Sequence, residues 1–184
     1  MKNLIEKQLK REEIFGGQVL HVVRDTVELP NGKPATREVA LHIGAVAIIP
    51  ITDGGDVVIE RQYRYPHGRV FLEIPAGKLD SADEIPLEAA KRELREETGA
   101  TAESFTYLGK MIPSPAVLSE VIHLYLAEGL SFGDVDLDED EFLEVEKIPL
   151  EKLYGMVLRG EIEDAKTQIA VMRAHAMKNG GASL

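Results

Sequence analysis

Three glutamates lie close together in the sequence KRELREETGA, at residues 91–100. Glu93, Glu96 and Glu97 are three and four residues apart, so on a helix they project from one side. Like charges at this spacing repel each other by roughly a few tenths of a kcal/mol per pair, and the negative end of a helix dipole disfavours them further. A hard divalent cation turns this repulsion into coordination, because Mg²⁺ binds through a few carboxylates and often bridges substrate phosphates.

The segment that carries these glutamates is predicted to be a helix from about Pro86 to Thr98. Proline is well tolerated in a first helical turn, and Gly99 is a natural C-terminal stop. The apolar side that should face the core consists of Leu87, Ala90 and Leu94. The alternative to a metal site is a solvated helix held by ion pairs such as Glu88–Arg92 and Arg92–Glu96.

Most of the remaining segments have the pattern of strands. Residues 17–29 alternate from Val22 onward in the two-residue period of a half-exposed strand. The sequence PNG at 30–32 is a turn that leads into the returning strand ATREVALH. Further strands are expected at residues 44–51, 57–64, 70–75, 104–110, 120–127 and 141–148, and further helices at 150–158 and 163–178. Because strands dominate and few helices lie between them, the sequence predicts an α+β fold with a mixed sheet.

Charge and composition exclude several classes of protein. The 184 residues suit one domain with a small appendage. With 21 Lys and Arg against 32 Asp and Glu, the net charge is −11, which argues against binding to nucleic acid or anionic membranes. The chain has no Cys, no apolar run near the roughly 18 residues that span a bilayer, and no apolar stretch of a signal peptide at its start. We therefore expect a cytoplasmic protein.

The sequence GKLDSADEIPLEAAKRELREETGA resembles the Nudix box, which is Gly, a short loop, Glu, seven residues, and then Arg-Glu-hydrophobic-x-Glu-Glu-x-Gly-hydrophobic. The matching positions are Gly77, Glu84, Arg92, Glu93, Leu94, Glu96, Glu97, Gly99 and Ala100. Six residues, rather than the usual five, separate Gly77 from Glu84. Either the loop has one extra residue or Asp83 shares the role of Glu84, the expected partner of Arg92. Since the helical part is intact, we expect activity to be retained.

Segments outside the box are similar to the ADP-ribose and nucleoside-diphosphate-sugar pyrophosphatase branch of the Nudix family. They are REVALHIGAVAIIP, IERQYR, FLEIPAGKLD, SPAVLSE and DEDEFLEVEKIP, and together they cover most of residues 15–175. The resemblance implies a Nudix α/β/α sandwich with a mixed β-sheet at residues 43–184, preceded by a small N-terminal β unit at residues 1–42. In the relatives that unit is exchanged across a homodimer, so we expect a homodimer here.

The activity that the resemblance implies is metal-dependent hydrolysis of the diphosphate bond of ADP-ribose or nucleoside diphosphate sugars. The products would be a nucleoside monophosphate and a sugar phosphate. One alternative is a Nudix-fold module that senses a nucleotide without hydrolysing it, although such modules usually lack a box glutamate and none is missing here. Another is a Nudix hydrolase of a different nucleotide, such as a nucleoside triphosphate or capped RNA.

The resemblance also implies roles for the residues of the box. Glu93 and Glu97 would be the main ligands of Mg²⁺, with Mn²⁺ as the alternative ion, and Glu96 would bridge or support them. The backbone carbonyl of Ala76, in the sequence PAG, would be a further ligand. Arg92 would orient the glutamates by pairing with them; the alternative role for Arg92 is a surface ion pair.

A second acidic cluster, DVDLDEDEFLE, lies at residues 134–144. Taken alone, it has the composition of a solvated loop, and it lacks the Gly that a calcium-binding loop needs at its sixth position. In the Nudix branch, a loop here carries a glutamate into the site. The resemblance favours Glu139 as the catalytic base and Glu141 as a metal ligand, while a register shift of two residues or an exchange of the two roles remains open.

Several basic residues are candidates for contacting the diphosphate. Arg64, in RQYR, is the best of these, and Arg61 and Arg69 are weaker candidates that fit a surface position better.

Three further residues match positions that contact or shape the substrate site in relatives. Arg37 and Glu38, in TREV, match residues that reach the adenine from the partner subunit, and a cross-strand ion pair is an equally good interpretation of each. Pro115, in SPA, matches a proline that shapes the substrate loop. The relatives often continue with Gly, where this chain has Ala116.

Overall fold

The computed structural model describes residues 3–135 and 142–180, which divide into two compact units. The first unit comprises residues up to Ile43 together with Ile112–Val121, and the second comprises Gly44–Met111 and the residues from Ile122 onward. The strands are β1 (Lys7–Gly16), β2 (His21–Glu28), β3 (Pro34–Leu41), β4 (Ala45–Pro50), β5 (Asp56–Arg64), β6 (Arg69–Glu73), β7 (Ala76–Lys78), β8 (Ala100–Met111), β9 (Ile122–Phe132) and β10 (Leu143–Pro149). The helices are α1 (Pro86–Thr98), α2 (Leu150–Leu158) and α3 (Ala165–Lys178).

The first unit is an antiparallel sheet in the order β1-β2-β3. The alternating pattern of β2 buries Val23 and Val27 on one face, as the two-residue period predicts. Strand β1 was not predicted, because its sequence KQLKREEIFG is exposed along its whole length and shows no apolar alternation. The segment after β8 also joins this unit, since the N–H of Ala40 donates a 2.8 Å hydrogen bond to the carbonyl of Val117.

The second unit contains a mixed sheet in the order β7-β4-β9-β8 and an antiparallel sheet in the order β10-β5-β6. In the mixed sheet, β4 and β9 are parallel, whereas the pairs β4–β7 and β8–β9 are antiparallel. Strand β4 is buried on both faces, which explains why its sequence is a continuous apolar run.

Helices cover both faces of the mixed sheet. On one face, Val46 and Ile48 of β4 pack with Leu94 of α1. On the other face, Ala47 and Ile49 pack in a core that includes residues of α2 and α3. Complete burial of a side chain such as Leu94 contributes about 1.5–3 kcal/mol. The arrangement confirms the predicted α+β class and the α/β/α sandwich.

No helix within the described residues 3–135 and 142–180 is long and apolar enough to cross a membrane.

Candidate active site

The C-terminal turn of α1 places a buried carboxylate against β7. Glu97 is 3% exposed, and one of its oxygens accepts a 2.9 Å hydrogen bond from the backbone N–H of Ala76. The helix ends at Thr98, and the capping residue Gly99 has a φ of 67° and donates its N–H to the carbonyl of Arg95. The end of the helix therefore fixes Glu97 next to the residue whose carbonyl is a predicted metal ligand.

Gly77 provides the space that the next carboxylate occupies. A Cβ atom at position 77 would lie 2.0 Å from the carboxylate carbon of Glu93, far closer than van der Waals contact. The side chain of Glu93 is 12% exposed. The first glycine of the box is therefore needed because the Glu93 carboxylate lies where any side chain at position 77 would be.

Arg92 contacts two of the three glutamates and holds their carboxylates in place. Its Nη1 lies 2.8 Å from Glu93 and 3.0 Å from Glu96, and its Nε lies 3.4 Å from Glu84. Its Nη2 donates to the carbonyl of Lys78 at 3.2 Å. Partial burial disfavours the charged guanidinium, but the neighbouring carboxylates outweigh that effect and raise the pKa of Arg92. The repulsion within the acidic cluster is thus offset by an arginine on the same helix.

The loop with the extra residue folds back onto itself. A carboxylate oxygen of Glu84 accepts a 2.6 Å hydrogen bond from the N–H of Asp80, which lowers the pKa of Glu84. The N–H of Glu84 donates to the carbonyl of Ser81 at 3.2 Å. The structure therefore gives the contact with Arg92 to Glu84 rather than to Asp83, and the added residue is absorbed within the loop.

The oxygen atoms at this end of α1 fit a divalent cation that keeps part of its water shell. Within the described part of the chain, no three Asp, Glu or His side chains converge closely enough to hold an ion by themselves. Glu97 contacts Ala76, and Glu93 lies over Gly77, so the two carboxylates lie at adjacent points of β7. Carboxylates together with a backbone carbonyl are hard oxygen ligands, and Mg²⁺ usually takes only one or two carboxylates and retains waters.

Arg64 lies at the end of β5 and forms a two-pronged ion pair. Its Nε and Nη2 donate to the two carboxylate oxygens of Glu73, at 2.8 and 2.7 Å. The two weaker candidates, by contrast, form exposed pairs: Arg61 lies 2.7 Å from Glu146, and Arg69 lies 2.6 Å from Glu163. Arg64 is thus the arginine of the three that the fold holds most firmly.

A five-residue segment, EIPAG at residues 73–77, links Arg64 to the glutamates of α1. Each of its residues makes a contact that fixes the backbone or a functional side chain. In order along the segment, the contacted residues are Arg64, Thr167, Ile48, Glu97 and Glu93. The segment therefore connects the candidate diphosphate contact to the acidic helix through a run of only five residues.

Sequence reasoning missed two buried charges in this region, Glu73 and Lys166. Glu73 is 2% exposed and Lys166 is 7% exposed, and the Lys166 ammonium contacts the Glu73 carboxylate. The available signal was a charged residue inside the apolar strand VFLEIP, where a lone charge needs a partner. Its partner is 93 residues further along the chain, so the pair has no local pattern.

The predicted base Glu139 and metal ligand Glu141 lie outside the described residues. On the N-terminal side, the N–H of Gly133 donates a 2.7 Å hydrogen bond to the carbonyl of Gly99, the residue that ends α1. On the C-terminal side, Leu143 pairs with Gln62, two residues before Arg64. The acidic segment thus connects the end of the glutamate helix to the strand that carries the diphosphate candidate.

The remaining predicted residues belong to the first unit. Glu38 forms a cross-strand ion pair with Arg24 at 2.8 Å, and Arg37 forms an ion pair with Glu6. Pro115 lies in a turn in which the carbonyl of Ser114 accepts a hydrogen bond from the residue three positions later. Their contact with a substrate stays a prediction.

An acidic helix packs on a mixed-sheet sandwich, Gly77 admits the Glu93 carboxylate, and Arg92 contacts both Glu93 and Glu96, which is the arrangement that the Nudix box implies. The NUDIX domain matches residues 41–170, and the nucleoside diphosphate sugar hydrolase N-terminal domain matches residues 6–40. The chain therefore belongs to the Nudix family, whose members generally need a divalent metal ion.

Relatives match the chain over most of its length. An ADP-ribose pyrophosphatase of Bacillus subtilis (strain 168) is 44% identical over 173 residues, which are 93% of each chain. A protein of Bacillus methanolicus called methanol dehydrogenase activator is 44% identical over 168 residues, or 90% of each chain. The crystal structure of an ADP compounds hydrolase superposes with a TM-score of 0.86 at 25% identity, covering 99% of this chain and all of the other. These comparisons agree with an enzyme that hydrolyses compounds in which a diphosphate links a nucleoside to another group.

Proposed function

We propose that the protein hydrolyses the diphosphate bond of ADP-ribose and of nucleoside diphosphate sugars, releasing a nucleoside monophosphate and a sugar phosphate. The observation that carries the proposal is the contact of α1 with β7, where Glu97 accepts from the N–H of Ala76 and Glu93 fills the space over Gly77. The similarity to an ADP-ribose pyrophosphatase along 93% of the chain supports the choice of substrate.

The ion that these residues would hold is Mg²⁺, with Mn²⁺ as the alternative. Glu93, Glu97 and the carbonyl of Ala76 are the proposed ligands, and Glu96 supports them. The bound ion would neutralise charge on the diphosphate and lower the pKa of a bound water. Arg92 orients Glu93 and Glu96, since it contacts both.

The base is proposed to be Glu139, with Glu141 as an additional metal ligand. The two ends of the acidic segment support this assignment, because Gly133 is bonded to the end of α1 and Leu143 pairs with the strand of Arg64. Glu139 follows Gly133 by six residues and Glu141 precedes Leu143 by two residues in the sequence. The exchange of the two roles remains the alternative.

Substrate recognition is proposed to use two groups of residues. In the second unit, Arg64 would bind the diphosphate, which all these substrates share. In the first unit, Arg37 and Glu38 would contact the base from the partner subunit of a homodimer, and Pro115 would shape the loop at the sugar end. Glu38 or nearby backbone can accept a hydrogen bond from an exocyclic amino group such as that of adenine, and an unsatisfied buried acceptor costs about 1–3 kcal/mol.

A substrate panel tests this function. We expect ADP-ribose with Mg²⁺ to give AMP and ribose 5-phosphate, with a kcat/KM roughly tenfold or more above that of UDP-glucose, since about 1.4 kcal/mol is a factor of ten. GDP-mannose and ADP-glucose should be hydrolysed as well, because the proposed metal ligands and Arg64 would bind the diphosphate that all these substrates share. A nucleoside triphosphate with the highest kcat/KM, or inorganic phosphate as the main product, would contradict the proposal.

A cytoplasmic location stays a prediction, which cell fractionation tests.

A further inference from the structure

The first turn of α3 contains a buried lysine with two acidic partners. Lys166 is 7% exposed; its ammonium contacts the Glu73 carboxylate and lies 3.2 Å from Asp164. Asp164 caps the helix by accepting a 2.9 Å hydrogen bond from the N–H of Thr167. Because a buried charge is costly unless it is paired, the contact with Glu73 fixes where the Lys166 ammonium can lie.

Glu73 is shared by two cations. It is 2% exposed, and both its oxygens accept hydrogen bonds from Arg64, while Lys166 contacts one of the two. Burial alone would raise the pKa of Glu73, but the two cations outweigh burial and keep the pKa below its ordinary value of 4.5. Glu73 is therefore a charged carboxylate whose orientation is defined from two sides.

This arrangement leaves one edge of the Arg64 guanidinium for a ligand. Arg64 uses Nε and Nη2 on Glu73, and 38% of its side chain is exposed. Within the described residues, Nη1 of Arg64 makes no hydrogen bond with the protein. A planar guanidinium held at one edge presents its other edge in a fixed direction, which suits a phosphate oxygen.

We propose that Lys166 is a positioning residue that acts on the substrate diphosphate through Glu73 and Arg64. The inference rests on the proposed function, in which Arg64 binds the diphosphate. Lys166 takes up part of the Glu73 charge and fixes the carboxylate, so that Arg64 keeps both its direction and its attraction for an anion.

The surrounding charges indicate what the loss of Lys166 would do. Glu60, which is 1% exposed, is the direct cross-strand neighbour of Glu73 between β5 and β6. Without the Lys166 ammonium, the carboxylates beside Arg64 act on that guanidinium more strongly. Arg64 would keep its charge, but these carboxylates would offset more of its positive potential, so that it would attract a diphosphate less.

The test is a double-mutant cycle on Arg64 and Lys166. We expect Lys166→Met to raise the KM for ADP-ribose about fivefold or more, and to raise by a similar factor the Kd of ADP-ribose measured by calorimetry without metal. In the Arg64→Gln background the same change should raise neither value more than about twofold, because the residue through which Lys166 acts is missing. If Lys166 acted only through its positive charge near the site, Lys166→Met would raise the KM and the Kd equally in both backgrounds.

Matched variants separate positioning from folding. Gln168 lies in the same turn of α3 as Lys166, and its side chain donates a 2.8 Å hydrogen bond to the carbonyl of Ile162. The substitution Gln168→Met removes this hydrogen bond and leaves Glu73 untouched. It should lower the Tm and leave the KM unchanged. If Lys166→Met does not fold, Lys166→Gln, which keeps a hydrogen-bond donor for the Glu73 carboxylate but not the charge, is used in its place, with the same expected dependence on Arg64.

Equal effects of Lys166→Met with and without Arg64, or an unchanged KM, would overturn the inference alone. A wild-type chain that neither binds nor hydrolyses ADP-ribose would overturn the proposed function as well.

Discussion

At the scale of single residues, the acidic face of α1 is stable because each carboxylate has a defined neighbour. Glu97 accepts from a backbone N–H, Glu93 lies over a glycine, and Glu93 and Glu96 share Arg92. A charge-assisted hydrogen bond is roughly twice as strong as a neutral one. The unfavourable spacing of three glutamates near a helix C-terminus is therefore compensated locally, and the oxygen atoms remain grouped for an ion.

One prediction at this scale concerns Gly77. A methyl group at position 77 would overlap the Glu93 carboxylate, which is the far end of a flexible side chain and can move aside. We expect Gly77→Ala to lower kcat by roughly tenfold or more, as displaced metal ligands do, while the Tm changes little. Kinetics and thermal denaturation check this result. Gly54→Ala is the control, because its nearest atom would be 3.7 Å away; equal activity of the two variants would contradict the prediction.

Another prediction concerns pH and Glu73. Because the folded-state pKa of Glu73 lies below its ordinary value of 4.5, its charge stabilises the fold above that pH, and the stabilisation is lost as pH falls through the folded-state pKa. We expect the free energy of unfolding to fall less steeply below pH 4.5 in Glu73→Gln than in the wild type. Denaturant titrations from pH 3 to pH 7 measure the slopes.

The control for the pH prediction is Glu161→Gln, which removes an exposed pair with Arg159. Exposed pairs contribute little to stability, so this variant should follow the wild-type slope. A Glu73→Gln slope that equals the wild-type slope would show that Glu73 is not held charged by its two cations.

At the scale of elements, the sequence predicts those helices and strands that are specified by residues within or next to the element itself. The bounds of α1 follow from Pro86 in its first turn and Gly99 after its last, and the burial of β4 follows from its unbroken apolar run. Strand β1 could not be predicted, because it is exposed along its whole length and its sequence has no apolar alternation.

Some residues of the candidate site could be assigned from the sequence and others could not. The Nudix box lies in one continuous segment, so its residues can be assigned from the sequence. The contact between Glu73 and Lys166 joins residues far apart in the chain, and only the packing of α3 near β6 and β7 brings them together. A buried ion pair of this kind leaves no periodicity and no motif in the sequence.

The next prediction concerns the catalytic base that we propose in the acidic segment between β9 and β10. If Glu139 is the base, Glu139→Gln should lower kcat by roughly 100-fold or more and leave the KM nearly unchanged, since general-base catalysis contributes about 10²–10⁴. Glu144→Gln, in β10, is the control and should change neither constant. A larger loss of kcat in Glu141→Gln than in Glu139→Gln would show that the assignment is shifted by two residues.

At the scale of the whole molecule, the first unit is a three-stranded sheet whose outer strand β1 is exposed along its whole length. The apolar side chains of Leu9 and Phe15 in β1 are more than half exposed, and packing on a partner would remove them from water. We expect a homodimer in which this unit contributes to the partner's site. A chain without residues 1–40 should lose both the dimer mass in light scattering and most of its activity, whereas removal of residues 1–3 should change neither; a monomeric, fully active truncated chain would contradict this.

We propose that the carboxylates of α1 hold the metal ion that hydrolysis needs, and the substitution Glu97→Gln measures their contribution. Glutamine keeps the size of the side chain and can still accept from the Ala76 N–H, so the fold should be retained, while a charged ligand of the ion is lost. Turnover of ADP-ribose with saturating Mg²⁺ should fall by two orders of magnitude or more, about 3 kcal/mol in the activation free energy, with a Tm close to that of the wild type. Unchanged turnover in Glu97→Gln, or full activity of the wild type in EDTA, would show that these carboxylates do not form a metal-dependent site.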